Sequence, residues 1–231
     1  NKYVLIVAGG KGLRMGGDLP KQFIPMRGKP LLMHTLEAFH RWDASARIIL
    51  VLPEDHQPYW NMLCKEIGCK VPHAIVKGGD TRFFSVKNGL DWLLAERRRK
   101  GEEDSGLSLV AVHDGVRPFV SPEVVEACFD KAAVTGAVIP VVPMIDSLRE
   151  TDEKGSHPVD RSRYMAVQTP QVFHLELLTK AYEQPYSSLF TDDASVVEAM
   201  GHAIDTVPGD RENIKITTPF DLLIAEAMFA R

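Results

Sequence analysis

The densest chemistry in the chain lies between Gly9 and Lys21, where Gly9, Gly10, Gly12, Gly16 and Gly17 are interleaved with the cations Lys11, Arg14 and Lys21. Glycines let backbone N–H groups turn inward and approach an anion closely, and the cations neutralise its charge. The loop follows a continuous apolar run, Tyr3 to Ala8, of the kind a strand buried on both faces requires. A buried strand that empties into a cationic glycine loop is the outline of a phosphate cradle. A Walker loop needs G-x-x-x-x-G-K-[ST], and no register here supplies the Lys-Ser/Thr pair. The dinucleotide fingerprint G-x-G-x-x-G fits Gly10 and Gly12, but Met15 stands at the third glycine position, which disfavours an NAD-dependent oxidoreductase.

Three further clusters carry polar chemistry at the ends of short apolar runs. Gly78-Gly79-Asp80-Thr81-Arg82-Phe83-Phe84-Ser85 follows Ala74–Val76. His113-Asp114-Gly115-Val116-Arg117-Pro118 follows Leu107–Val112, and Asn213-Ile214-Lys215 follows Val207. In an open α/β sheet, ligands bind beyond the carboxyl ends of the strands, so these clusters and the glycine loop belong at one edge. Each has a plainer reading as well. Asp80 and Ser85 can cap a helix, Asp114 and Arg117 can form a local ion pair, and His113 reads best as a structural, hydrogen-bonded histidine. No Ser-His-Asp or Cys-His arrangement is visible.

The elements that must position these groups alternate. A helical pattern runs from Leu31 to Trp42, an apolar run from Ile48 to Leu52, and a helix from Glu54 to Ile67. After Ala74–Val76 comes a helix from Arg82 to about Arg98, then Leu107–Val112, a helix from Pro122 to about Val134, and a strand opening at Gly136. This alternation predicts an α/β fold: a Rossmann-like, open, mostly parallel twisted sheet with helices on both faces. Met144 to Ala166 breaks the pattern. It is polar, with a turn at Asp152–Gly155, and reads as a projecting β-hairpin arm. A lone hairpin is marginal in water, so the arm is expected to pack on a second subunit, making a homodimer. Helices at Leu175–Tyr182 and Asp192–Met200, a strand at Ala203–Val207 and a helix from Pro219 complete the chain.

With 231 residues and no internal repeat, the chain reads as one domain, 1–231, with 144–166 inserted as a dimerisation arm. A net charge of −4 argues against nucleic-acid and anionic-membrane partners. No apolar stretch of about 18 residues and no signal-like segment are present, which points to the cytoplasm. Cys64, Cys69 and Cys128 lack C-x-x-C spacing and read as free thiols rather than a disulfide or zinc site.

The loop pattern A-G-G-x-x-x-R-M-G followed by P-K-Q resembles the signature of sugar- and polyol-phosphate nucleotidyltransferases. The longer set AGGKGLRMGGDLPKQF, GGDTRFFSV, HDGVRPF, VDRSRYMAVQTPQVF, FTDDASVVE and NIKITTPFDL resembles the 2-C-methyl-D-erythritol 4-phosphate cytidylyltransferase family of non-mevalonate isoprenoid synthesis. The segments stand in that family's order across nearly the whole chain. The resemblance implies transfer of a cytidylyl group from CTP to a polyol phosphate with release of pyrophosphate. It implies that Arg14 and Lys21 stabilise the transition state, and that Ala8, Gly9, Gly10, Lys11 and Gly12 contact the triphosphate and base. It places Gly79, Asp80, Arg82 and Ser85 at the cytosine pocket, and Asp114, Arg117, Thr169, Thr191 and Lys215 at the methylerythritol phosphate. Asp146, Ser147 and Arg161 would reach that substrate from the partner's arm. Mg²⁺ would be bound mainly through the CTP phosphates, with Asp114 the one protein ligand named. The chain departs from the family in having Ser147 for a usual threonine, and Gly9, Gly115 and Val116 where alanines are frequent. Ribitol-5-phosphate cytidylyltransferase, which shares the loop and Q-T-P-Q, is the alternative enzyme, and a non-catalytic nucleotide-binding protein the remote one.

Overall fold

The apolar run at the start of the chain forms β1 (Lys2–Val7), and its side chains alternate between two cores. The computed structural model describes residues 1–9, 19–102 and 106–231. Gly10, Lys11, Gly12 and Arg14 lie outside the described residues. Val4 and Ile6 pack with one set of helices and Tyr3 and Leu5 with another, which is why the run carries no polar face.

Two short strands, β2 (Pro25–Met26) and β3 (Lys29–Pro30), form a small hairpin before α1 (Leu31–Trp42). Then follow β4 (Arg47–Leu52), a 3₁₀ turn at Glu54–His56, α2 (Gln57–Ile67), β5 (His73–Lys77) and α3 (Arg82–Lys100). Next come β6 (Leu109–Asp114), α4 (Pro122–Thr135) and β7 (Ala137–Pro143). The second half contains β8 (Leu148–Asp152), β9 (Gly155–Val159), β10 (Met165–Val167), β11 (Gln171–His174), α5 (Leu175–Ala181), α6 (Asp193–Glu198), β12 (Asp205–Pro208) and α7 (Pro219–Phe229).

Among the described residues the main sheet has the order β10-β7-β11-β6-β1-β4-β5, with β12 also on β7. β5, β4, β1 and β6 are mutually parallel, whereas β11 and β10 run antiparallel to their neighbours. The sheet is thus mostly parallel and Rossmann-like. α1, α2 and α4 cover one face and α3, α5 and α6 the other. Each fully buried Val, Leu or Ile side chain in these layers contributes about 1.5–3 kcal/mol. α3 approaches unusually closely: a Cβ on Gly89 would stand 2.8 Å from Leu5 Cδ2 and 3.0 Å from Val51 Cγ2, so glycine allows the contact. β1 leads to β4 and β5 on one side, and the chain then returns to β6 on the other. The topological switch point therefore lies between β1 and β6, and a crevice is expected at their carboxyl ends.

Several boundaries differ from those read in the sequence. β6 starts at Leu109, because Leu107 is half exposed, and it runs on to Asp114, since it pairs with β1 from Lys2↔Leu109 to Val7↔Asp114. His113 and Asp114 are therefore strand residues, not the start of a loop. β11 was not expected. Its four residues, bracketed by Pro170 and the start of α5, are too few to show a period. The arm is a separate two-stranded sheet, β8–β9, whose ladder from Leu148↔Val159 to Asp152↔Gly155 encloses the expected turn. Met165 and Ala166, placed in the arm by sequence, belong to β10 and pair with Pro143 and Val142 in the main sheet. Cys64, Cys69 and Cys128 are free thiols. Among the described residues, no helix is long and apolar enough to cross a membrane.

Candidate active site

A cleft of about 260 Å³ opens where the switch point requires it. Val7, Ala8 and Gly9 form its floor after β1. Gly79 to Arg82 and Ser85 form one wall, Asp114, Val116 and Lys215 the other, and Lys21 and Gln22 close one end. Three cations and two carboxylates thus share a small volume on a chain whose net charge is −4.

Lys21 is held in place through its neighbours. Gln22 is buried, and its Nε2 donates to Ala8 O (3.1 Å), tying the segment to the end of β1. Phe23 is buried against Tyr59, His56 and Trp60, with ring centroids 5.1, 5.7 and 6.4 Å away. α2 therefore acts as the support that fixes Lys21 at the cleft mouth.

The wall after β5 is organised by Ser85 rather than capped by it. Gly79 N donates to Ser85 Oγ (3.0 Å), and Ser85 Oγ donates to Thr81 O (2.9 Å). Thr81 is the N-cap of α3, accepting from Phe84 N, which leaves Asp80 exposed and outside the cap. Gly79 admits no side chain, because a Cβ would meet Phe84 Cβ at 2.5 Å. Arg82, the first residue after the cap, is clamped. Its Nη1 and Nη2 donate to Asp193 Oδ1 (3.0 Å) and Oδ2 (2.6 Å), and Tyr182 donates its hydroxyl to Oδ1 (2.6 Å). Asp193 is wholly buried, whereas the Arg82 side chain keeps 31% of its surface toward the cleft. Burial works against the Arg82 charge, yet the Asp193 carboxylate outweighs it and holds the guanidinium firmly protonated. Burial, reinforced by Asp193, also pushes the Tyr182 hydroxyl well up.

The opposite wall is a relay of directed hydrogen bonds. His113 Nε2 faces Arg117 O (3.0 Å), and a carbonyl only accepts, so Nε2 carries the proton. Nδ1 is then the acceptor, taking the Thr169 hydroxyl proton (3.0 Å). Thr169 Oγ1 in turn accepts from Asp114 N (3.1 Å). This chain requires a neutral imidazole, and burial lowers the His113 pKa to about 4. His113 is therefore structural, as its sequence context suggested.

Asp114 meets Arg117 Nε (3.0 Å) and Lys215 Nζ (3.2 Å), both through Oδ2. Burial alone would raise its pKa, but Lys215, Arg82 and Arg117 together hold the carboxyl well below the usual range. Lys215 is 44% exposed and is carried to the cleft by Ile216 N, which donates to Val116 O (3.0 Å). Val116 itself is buried in the cleft wall.

The structure thus brings together Ala8, Gly9, Lys21, Gly79, Asp80, Arg82, Ser85, Asp114 and Lys215. Arg117 lies behind this group: it is 9% exposed, and its Nη1 donates to Asn213 O (2.7 Å), so it positions Asp114 rather than facing the cleft. Thr169 is likewise a buried support. Thr191 is exposed and donates its N–H to Ser195 Oγ within the cap of α6, away from the cleft. Asp146, Ser147 and Arg161 are exposed on or beside the arm, where Arg161 donates to Ile145 O, and none of them lines the cleft of its own chain. Sequence reasoning missed Gln22 and Asp193. A glutamine between a functional lysine and a phenylalanine, and a carboxylate one residue inside an otherwise apolar helix, were the available signals.

Among the described residues no three His, Cys, Asp or Glu side chains form a metal cluster. The Asp114 carboxylate is ringed by cations, a setting that suits an anion first. A magnesium ion that draws most of its ligands from phosphate oxygens and water fits Asp114 as its one protein contact.

A model of the 2-C-methyl-D-erythritol 4-phosphate cytidylyltransferase family matches residues 3–231. The chain is 56% identical to the 2-C-methyl-D-erythritol 4-phosphate cytidylyltransferase of Bacteroides fragilis, over 98% of this chain and 99% of that one. It is 40% identical to the enzyme of the same name from Bacillus licheniformis, over 99% and 95%. Among solved structures it resembles that of 2-C-methyl-D-erythritol 4-phosphate cytidylyltransferase from Thermus thermophilus, with a TM-score of 0.74, 32% identity, and 100% and 99% of the two chains covered. It also resembles 4-diphosphocytidyl-2C-methyl-D-erythritol synthase from Anaerococcus prevotii, with a TM-score of 0.78, 28% identity, and 99% and 96% covered.

Proposed function

Since the chain belongs to the 2-C-methyl-D-erythritol 4-phosphate cytidylyltransferase family, we propose that the cleft at the ends of β1, β5 and β6 is where it carries out the family's reaction. The enzyme transfers the cytidylyl group of CTP to 2-C-methyl-D-erythritol 4-phosphate, giving 4-diphosphocytidyl-2-C-methyl-D-erythritol and pyrophosphate, a step of isoprenoid precursor synthesis. The observation that carries the site assignment is the convergence of Lys21, Arg82, Asp114 and Lys215 on one crevice at the switch point.

A phosphate oxygen of the polyol phosphate attacks the α-phosphorus of CTP, and the bond to the β-phosphate's bridging oxygen breaks. A phosphate monoester has a second pKa of about 6, so the nucleophile is already ionised at neutral pH and needs no general base. The neutral His113, with both ring nitrogens engaged, accords with this. The remaining demands are bringing anions together and stabilising added charge in flight. Lys21, with Arg14 from the glycine loop, meets the second demand. Lys215, held beside Asp114, receives the acceptor phosphate. Gly79, Asp80 and Ser85 hold the cytosine, and Ala8 to Gly12 the triphosphate. Asp114 would be the protein contact of a Mg²⁺ ion carried on the triphosphate, which when bound would supply further charge neutralisation. The 144–166 arm joins two chains into a homodimer and carries Asp146, Ser147 and Arg161 to the partner's cleft. The exposed apolar side chains Ile145, Tyr164, Met165 and Val167 around its base support that reading. The test is pyrophosphate release from CTP and Mg²⁺ with methylerythritol phosphate or ribitol 5-phosphate as acceptor. Release only with the former is expected, and preferential release with ribitol 5-phosphate would reassign the acceptor.

A further inference from the structure

Outside the cleft, α2 ends in an arrangement the reaction does not use. Gly68 adopts the left-handed conformation (φ 77°), and Cys64 O accepts two N–H groups there, from Gly68 (3.0 Å) and Cys69 (2.9 Å). In such glycine-closed helix ends the residue after the glycine commonly makes an apolar contact back to the last turn. Here both positions of that contact are cysteines. The backbone bond between them keeps their Cα atoms within about 6.8 Å, inside the range a disulfide spans. The two thiols lie close enough to shift each other's ionisation in opposite directions. Both residues are half-buried rather than sealed, and Cys69 opens onto a surface cavity of about 360 Å³ that Lys29, Glu37 and Lys70 also line.

We propose that Cys64 and Cys69 form a modification site, a dithiol that a hydroperoxide entering from this cavity converts to a disulfide at the end of α2. The Cys69 sulfur attacks the peroxide O–O bond, giving a sulfenic acid and releasing water or an alcohol. The Cys64 sulfur then attacks the Cys69 sulfur. The S–S bond forms, the S–O bond breaks, and hydroxide leaves with the Cys64 proton as water. Two thiols lose two electrons in total and the peroxide gains them.

The polarity of the pair supports Cys69 as the attacking group. The interaction with Cys64, aided by Val71 N–H, brings its thiol down to about 6, while the same interaction pushes Cys64 up. A low thiol pKa and access together favour oxidation. Cys128 provides the internal contrast: it is fully buried, and burial pushes it up to about 12.

The chain makes the readout simple. Trypsin cleaves after Lys65, so a Cys64–Cys69 disulfide links peptide 48–65 to peptide 66–70. The folded protein is treated with a few equivalents of hydrogen peroxide, alkylated and digested. The linked pair is expected, lost on reduction with dithiothreitol, with Cys128 still alkylatable after denaturation. In Cys64→Ser, the sulfenic acid on Cys69 should be trapped by dimedone. In Cys69→Ser, Cys64 should stay reduced. The proposal is overturned if no linked peptide forms at peroxide levels that oxidise free glutathione, or if Cys64 oxidises as fast without Cys69.

Discussion

Replacing Asp193 by Asn isolates the clamp on Arg82. The substitution keeps the shape and one acceptor oxygen for Tyr182, but it removes the buried carboxylate to which both Arg82 Nη groups donate. Breaking a fully buried ion pair costs about 3–5 kcal/mol. Arg82 retains 31% side-chain exposure, so water screens part of that, and a loss of about 2 kcal/mol is expected. For a domain of this size that lowers Tm by about 4–8 °C. Arg82 then samples orientations that no longer face the cleft, so kcat/KM for CTP should fall about tenfold at a temperature where the variant is folded. Thermal unfolding and steady-state pyrophosphate release measure the two effects. Arg82→Gln in the Asp193→Asn background removes the stranded charge and should restore about half the lost stability, a coupling that only directly interacting residues show. An unchanged Tm in Asp193→Asn, or strictly additive single and double variants, would refute the clamp.

Three other outcomes follow from the site. Gly79, Asp80 and Ser85 should give kcat/KM a preference for CTP over UTP, and Ser85→Ala should narrow it by about tenfold; equal efficiency in the parent enzyme would remove the base pocket from this wall. Arg161→Ala and Lys21→Ala chains, each nearly inactive alone, should recover roughly a quarter of parental activity when randomly mixed, since half the dimers are mixed and half their sites are whole. No recovery despite mass-spectrometric proof of mixed dimers would place Arg161 outside the partner's site. His113 stays neutral in the fold down to about 4 against 6.5 when exposed, so the unfolded chain binds a proton the folded chain refuses between those values. Stability from this group is complete above about pH 6.5 and falls by about 3 kcal/mol as pH drops toward 4, with half-buried His34 and His73 acting in the same sense. Urea unfolding at stepped pH should show that decline, and His113→Gln should flatten it; an unchanged slope in the variant would contradict the assignment.

The parts of the fold that the sequence made legible are those with a period or a punctuation mark. β1 and β4 announced themselves as unbroken apolar runs because both their faces are buried, and α1, α3 and α4 through their apolar spacing and their Pro or Gly ends. β10 and β11 did not, since three- and four-residue strands show no alternation, and their pairing with β7 and β6 is decided by distant partners. The site was legible wherever glycines and cations sat at a strand end, as at Gly79, Asp114 and Lys215. What could not be read was depth. Asp114 and Arg117 looked equivalent in the sequence, yet one lines the cleft and the other is buried behind it. The pairing of Arg82 with Asp193 spans 111 residues, and nothing local to either announces it.

The proposed mechanism is nucleotidyl transfer in this cleft by placed positive charge, with no general base. Lys21→Ala tests it most directly, measured as kcat for pyrophosphate release at saturating CTP and methylerythritol phosphate beside a thermal unfolding curve. A fall of about two orders of magnitude or more is expected with Tm little changed, because Gln22 and Phe23 anchor the segment. Near-normal turnover in a folded Lys21→Ala protein would contradict it.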